Sequence, residues 1–193
     1  MDKVIIDKTI CHVIGCGSTS AYFIEVGIPE QGYLIGVNDA GKWGYHFNQL
    51  LFLNRPRHFN ELENGRPRIE VIKESKFGSI ICLKNLVEDW QNEFPHKSVM
   101  SLPTLIRWNN SHRYDPMTVY HSNNSPFTAM SYAATLGFAT IVLWGVDFRS
   151  HKHIKPLDAV PAFSEFAQAK HNVRIFKGHK ESLLNLPVWK EEL

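Results

Sequence analysis

Two β-rich apolar runs with polar stops constrain this chain more than any other feature. Ile10-Cys11-His12-Val13-Ile14 halts at Gly15-Cys16-Gly17-Ser18, and Tyr33-Leu34-Ile35-Gly36-Val37 halts at Asn38-Asp39-Ala40-Gly41. Runs this short and this apolar read as buried strands ending in polar turns. Between them Thr19 to Val26 has room for about two helical turns, with Gly27 and Pro29 as stop signals. A third strand is expected from Gln49 to Leu53, before Asn54-Arg55-Pro56, and apolar runs follow at Ile69-Glu70-Val71-Ile72 and Ser79-Ile80-Ile81-Cys82-Leu83. From Lys84 to Tyr120, Pro95, Pro103, Pro116 and the polar tract Trp108 to Arg113 break any long periodicity, so loop excursions and short helix are expected there.

Order returns at Ser125, read as an N-cap with Pro126 in the first helical position, where its missing N–H costs nothing. That helix runs from Pro126 to Leu136, Gly137 stops it, and Ala139 to Trp144 forms a strand ending in Gly145-Val146-Asp147-Phe148. A helix from about Asp158 to Lys170 and a strand from Val173 to Phe176 repeat the alternation. The pattern predicts an α/β, Rossmann-like fold, a mostly parallel sheet with helices on both faces.

At 193 residues the chain suits one domain, residues 1–193. A hydrophobic share of 44% with 21% charged residues is that of an ordinary globular protein, and no stretch reaches the ~20 apolar residues of a membrane span. Met1-Asp2-Lys3-Val4 opens no leader pattern, so a cytoplasmic location is expected. Cys11, Cys16 and Cys82 lack both disulfide-framework and zinc-knuckle spacing, and reduced thiols are expected. A net charge of +2 does not mark a nucleic-acid binder. Local positive potential can still arise at Arg55-Pro56-Arg57-His58, His151-Lys152-His153 and Lys177-Gly178-His179-Lys180, although such clusters also serve as solvated loops.

Open parallel sheets bind ligands outside the carboxyl ends of their strands. That rule selects Gly15-Cys16-Gly17-Ser18-Thr19, Asn38-Asp39, Asn54, Asn123-Asn124-Ser125 and Asp147. Gly15-x-Gly17 permits a tight turn whose N–H groups face an anion, or merely reverses the chain; Ser20 stands where a dinucleotide fingerprint has its third glycine. Asn38, Asn54 and Asn124 can read a base or sugar without repelling phosphate, and asparagine also caps turns. Asn124 and Ser125 gain from the helix N-terminus. Asp147 ends a hydrophobic strand, where an acid grips ribose hydroxyls, caps a helix or makes a structural salt bridge. His153 can take a proton from a sugar hydroxyl. A metal bound by His151 and His153 lacks a third ligand on any recognisable element. Trp43, Trp90, Trp108 and Trp144 read as core or rim packing.

In order, Gly15-Cys16-Gly17-Ser18, Val37-Asn38-Asp39, Leu53-Asn54-Arg55-Pro56-Arg57-His58-Phe59, Asn124-Ser125, Leu136-Gly137-Phe138 and Gly145-Val146-Asp147-Phe148 resemble the small bacterial lipooligosaccharide sialyltransferases. The same pattern is similar to archaeal hydroxymethylpterin pyrophosphokinases and related uncharacterised domains. The resemblance implies a GT-A-like fold and metal-independent, inverting transfer from a CMP- or UDP-sugar. It places Asn38, Asn54, Asn124 and Ser125 on donor nucleotide and sugar, Asp147 on the ribose, and His153 as base, with Asp158 at the family's spacing. Ser122 replaces the arginine expected before Asn124-Ser125, and Arg149 stands in place of a tyrosine beside the leaving phosphate, so the donor sugar need not be sialic acid. No Asp-x-Asp motif is present, and no cofactor or resident metal is expected. The acceptor, whether glycan, protein or hydroxylated DNA base, stays open, as does assembly into a homo-oligomer. Two other readings remain: a pyrophosphokinase using magnesium with Asp39 and Asp147, and a non-catalytic nucleotide-binding module.

Overall fold

Strands buried on both faces must also pair on both edges. The computed structural model, which describes residues 9–25, 32–108, 115, 117–122, 124–147 and 154–189, shows how they do so. β1 (Ile10–Ile14) and β2 (Tyr33–Val37) are parallel neighbours; a 3-10 turn at Ser18–Ala21 and the single turn α1 (Tyr22–Glu25) follow β1. β3 (His46–Phe52) lies beside β2. The chain then forms a small hairpin of β4 (Leu62–Glu63) and β5 (Arg66–Pro67), runs back along α2 (Arg68–Glu74) and returns as β6 (Lys76–Cys82) against β3. α3 (Val87–Glu93) and β7 (Ser98–Ser101) repeat the step, and β8 (Leu105–Arg107) pairs with β9 (Val119–His121) outside the main sheet. α4 (Ser125–Thr135), β10 (Thr140–Trp144), α5 (Ile154–His171) and β11 (Arg174–Lys177) complete the other side.

The main sheet has seven strands in the order β11-β10-β1-β2-β3-β6-β7, every pair parallel. Strand order reverses between β1 and β10: the chain builds outward from β1 to β7, then crosses back to β10. A crevice at such a reversal is where open α/β sheets take their ligands. Alternate side chains divide between two cores. Val13, Ile35, Leu51 and Ile141 pack toward Phe127, Met130 and Phe163 of α4 and α5. Ile14, Leu50, Phe52 and Ile80 pack toward Phe23, Ile72 and Trp90 of α1, α2 and α3. Helices therefore cover both faces, as the alternation predicts.

Several local expectations change. The run Ile69 to Ile72 is helical; Ile69 and Ile72, three residues apart, are the buried pair. The third strand begins at His46 and ends at Phe52. The tract from Lys84 to Tyr120 holds the expected short helix, yet it also adds β7 to the main sheet. Its exposed Ser98, Met100 and Ser101 carry no buried-strand signature because β7 is an edge strand. The N-cap of α4 is Asn124, not Ser125: Asn124 Oδ1 accepts from Phe127 N at 3.1 Å, which places Ser125 inside the first turn. Gly137 ends that helix with φ +88°, a left-handed conformation suited to glycine. The last helix starts at Ile154, and β11 runs from Arg174 to Lys177. The stop signals Gly27 and Pro29 lie outside the described residues. Among the described residues no helix is long and apolar enough to cross a membrane, and the three cysteines are free.

Candidate functional site at the carboxyl edge

The turns that leave β1 and β10 are interlocked. Gly15 N donates to Trp144 O at 2.7 Å and Gly17 N to Gly145 O at 2.9 Å. A Cβ on Gly145 would stand 1.9 Å from Ser20 Oγ and 2.9 Å from Gly17 O, and Gly145 has φ +63°. The glycines are thus needed for close backbone approach. The N–H groups of Gly15 and Gly17 are spent on carbonyls rather than turned toward an anion, which corrects that expectation. Asp147, buried at the end of the β10 turn, joins the same knot. Thr19 N donates to its Oδ2 at 3.0 Å, Ser18 Oγ to Oδ2 at 3.3 Å, and Thr19 Oγ1 to Oδ1. Gly145 N completes the knot by donating to Thr19 Oγ1 at 3.1 Å. Asp147 thus has a structural role, as the acceptor of backbone and hydroxyl donors 128 and 129 positions away rather than as a salt-bridge partner.

Beside this knot, Asn38 follows β2 in the left-handed region, φ +55°. Its N–H donates to Leu51 O at 3.1 Å, while its shielded Oδ1 has no partner. Asp39 is buried and faces Arg68 at the start of α2: Arg68 Nη2 donates to Oδ1 at 2.6 Å and Nε to Oδ2 at 3.1 Å. Burial opposes ionisation of Asp39, yet the Arg68 hydrogen bonds and charge, with a hydrogen bond from Cys16, hold its pKa at about 2. Cys16 Sγ also lies 3.3 Å from Val37 O as donor. Burial first, then the Asp39 carboxylate, push its thiol far up, so it stays protonated and unreactive. Asn54, after β3, is exposed; Trp90 Nε1 donates to its carbonyl at 3.0 Å, and Arg55 pairs with Asp89 at 3.3 Å.

The third part of the edge is the mouth of α4. Ser125 follows the Asn124 cap, and Ser122 precedes it with an Oγ that is shielded and unpartnered. Beneath lies Trp108, whose ring meets Tyr120, Phe127, Phe163 and Phe166 at centroid distances of 5.3, 6.4, 5.3 and 5.6 Å, and whose Nε1 has no partner.

Gly15, Gly17, Ser18, Asp147, Asn38, Asp39, Asn54, Asn124 and Ser125 all occur at the carboxyl ends of strands or at the start of α4. Arg149, His151, Lys152, His153 and Asn123 lie outside the described residues. Sequence reasoning missed three participants. Arg68 has no local signal, since its partner Asp39 is distant in the chain. Trp43, taken as packing, donates from Nε1 to Gly15 O at 3.1 Å. His179, noted only within a basic cluster, stacks on Tyr22 at 3.7 Å just beyond β11. Among the described residues, no group of three or more His, Cys, Asp or Glu side chains is arranged to hold a metal ion.

No family model and no curated protein matches the chain. Solved structures do. An α-2,3-sialyltransferase from Campylobacter jejuni, in apo form, superposes with TM-score 0.58 and 16% identity over 98% of this chain and 84% of that one. The monofunctional α-2,3-sialyltransferase Cst-I of the same organism gives 0.55 and 14%, over 97% of this chain and 82% of the other. The sialyltransferase CstII from Campylobacter jejuni, in complex with the substrate analogue CMP-3FNeuAc, gives 0.55 and 14%, over 93% and 85%. At these identities the likeness establishes a shared fold across nearly the whole chain.

Proposed function

We propose that the chain is a metal-independent inverting glycosyltransferase that takes a sugar from a CMP- or UDP-linked donor and passes it to a hydroxyl acceptor. The observation that carries this reading is the gathering of Asn38, Asn54, Asn124 and Ser125 on one carboxyl edge of a sheet shared with sialyltransferases, one of them solved with a CMP-sugar analogue. In this reading residues 1–193 act as one nucleotide-sugar domain. Asn38, Asn54, Asn124 and Ser125 contact the donor, and the start of α4 favours its phosphate. The Gly15–Ser18 turn and Asp147 act as the platform beneath the nucleotide, and Asp39 keeps Asn38 in place through its pairing with Arg68.

Chemistry then falls to His153 and Arg149. His153 takes the proton of the acceptor hydroxyl as its oxygen bonds to the anomeric carbon, on the face opposite the nucleotide. The anomeric C–O bond to phosphate breaks, the phosphate leaves with the electron pair, and Arg149 meets the charge.

The test is nucleotide release from CMP- and UDP-sugars in the presence of acceptor glycans, with and without a chelator. Turnover that survives chelation supports transfer; turnover only from purine triphosphates with magnesium points to a pyrophosphokinase. Binding without turnover points to a nucleotide-binding module. His153→Ala should cut transfer by ~10²–10⁴-fold and leave nucleotide affinity unchanged, whereas His151→Ala and His179→Ala stay active. An active His153→Ala enzyme would remove His153 as the base.

A further inference from the structure

Buried polar atoms are almost always paired, so adjacent unpaired ones call for an explanation. Arg107 pairs with His121 in register, and Trp108 N donates to His121 O at 2.8 Å, which brings Trp108 alongside Ser122. Each of these two residues carries a shielded polar atom with no partner, Nε1 of Trp108 and Oγ of Ser122. The Trp108 side belongs to a residue only 9% exposed. Ser122 stands two residues before the Asn124 cap of α4, an eleven-residue helix, and the Trp108 ring packs against Phe127 in its first turn.

We infer that Trp108 and Ser122 form a subsite for a neutral, hydroxyl-bearing sugar ring, one that sets donor specificity. This rests on the nucleotide-sugar reading above. The chemistry follows from the groups present. An indole N–H only donates, so the ligand must present an acceptor oxygen there; a serine hydroxyl can both donate and accept. A sugar hydroxyl meets both demands at once. Among the described residues, the rings that meet Trp108 are those of Tyr120, Phe127, Phe163 and Phe166, none of them charged. Against these rings a carboxylate or phosphate would lose its hydration to apolar surface, whereas a hydroxyl would lose little. The subsite therefore selects the neutral face of the donor, leaving the charged phosphate to the helix N-terminus.

Ser122→Ala deletes only the hydroxyl; Trp108→Phe removes the N–H together with one ring of the indole. Titration calorimetry with CMP, UDP, UDP-glucose, UDP-N-acetylglucosamine and CMP-N-acetylneuraminate reads the outcome. Wild type should bind a sugar nucleotide carrying a neutral sugar more tightly than the parent nucleotide. Each variant should lose roughly three- to tenfold of affinity for that sugar nucleotide and none for the parent. The melting temperature of unliganded Ser122→Ala should not fall, because the deleted hydroxyl had no partner. Equal affinity of wild type and both variants for the sugar nucleotide, or equal loss for sugar nucleotide and parent, overturns the subsite alone. Preferential loss for CMP-N-acetylneuraminate overturns its neutral character. A wild-type chain that binds none of these ligands overturns the nucleotide-sugar reading and the subsite with it.

Discussion

Where β1 meets β10, the N–H groups of Gly15, Gly17 and Thr19, the Thr19 hydroxyl and the Asp147 carboxylate are all paired; beside the first turn of α4, Trp108 Nε1 and Ser122 Oγ have no partner, and neither does Asn38 Oδ1 after β2. Each shielded orphan costs about 1–3 kcal/mol of stability, so a chain that keeps them forgoes stability at those positions. The first region reads as finished scaffold, and its disruption should show up as lost stability. The second reads as unfinished until a ligand supplies partners, and its disruption should show up as lost binding. Pairing state thus separates two parts of one edge that share the same strand-end geometry.

The sharpest way to break this contrast is Gly145→Ala. The added Cβ meets Ser20 Oγ and the Gly17 carbonyl and sits on a residue with φ +63°, so stability should fall by about 3–5 kcal/mol, measured by urea denaturation. A near-neutral result would mean that the interlocked turns are loose. Acid should act further back along β1, on His12, whose Nε2 is shielded and unpaired. His12 is fully buried and accepts from Trp144 Nε1 through Nδ1 at 3.1 Å; burial lowers its pKa from 6.5 to about 4. Between those values the unfolded chain binds a proton that the folded chain does not. Stability from this group is therefore full above pH 6.5 and fades as pH falls toward 4, by about 3 kcal/mol in all. His12→Gln should flatten that slope in denaturation curves recorded from pH 7 to 4.

Asp147→Ala comes next. It strips the acceptor from Thr19 N, Thr19 Oγ1 and Ser18 Oγ and should cost about 2 kcal/mol, with donor affinity following only as the platform loosens. If affinity drops with stability unchanged, Asp147 contacts the ribose directly and belongs with the second region. The smallest change is Asn124→Ala, which uncaps α4 for about 1 kcal/mol. Its nucleotide affinity should fall further than its stability does, which calorimetry and thermal melts on the same variant would compare.

Much of this arrangement is legible in short windows. β1 and β2 fall on the residues read from their apolar runs and polar stops, and Gly137 ends α4 as its position implies. Asn124 and Ser125 were recognisable as a helix start, although which one caps was not: both types cap well, and the choice depends on which backbone turns in first. β7 escaped notice because an edge strand buries little, so its alternation is absent from the sequence.

The residue order of this chain by itself determined the alternation of strand and helix, the location of the polar stops and so the list of groups that a carboxyl edge would gather. These depend on propensity and periodicity within a few residues, and nearby residues express them wherever the segment finally packs. The tertiary structure alone decided that β1 lies between β10 and β2, that Asp147 closes on Thr19 across 128 positions and Arg68 on Asp39 across 29, and that Trp108 and Ser122 end up side by side unpaired. A buried polar group takes its partner from whatever the packed helices and strands bring within 3 Å or so, a distance that spacing along the chain does not encode.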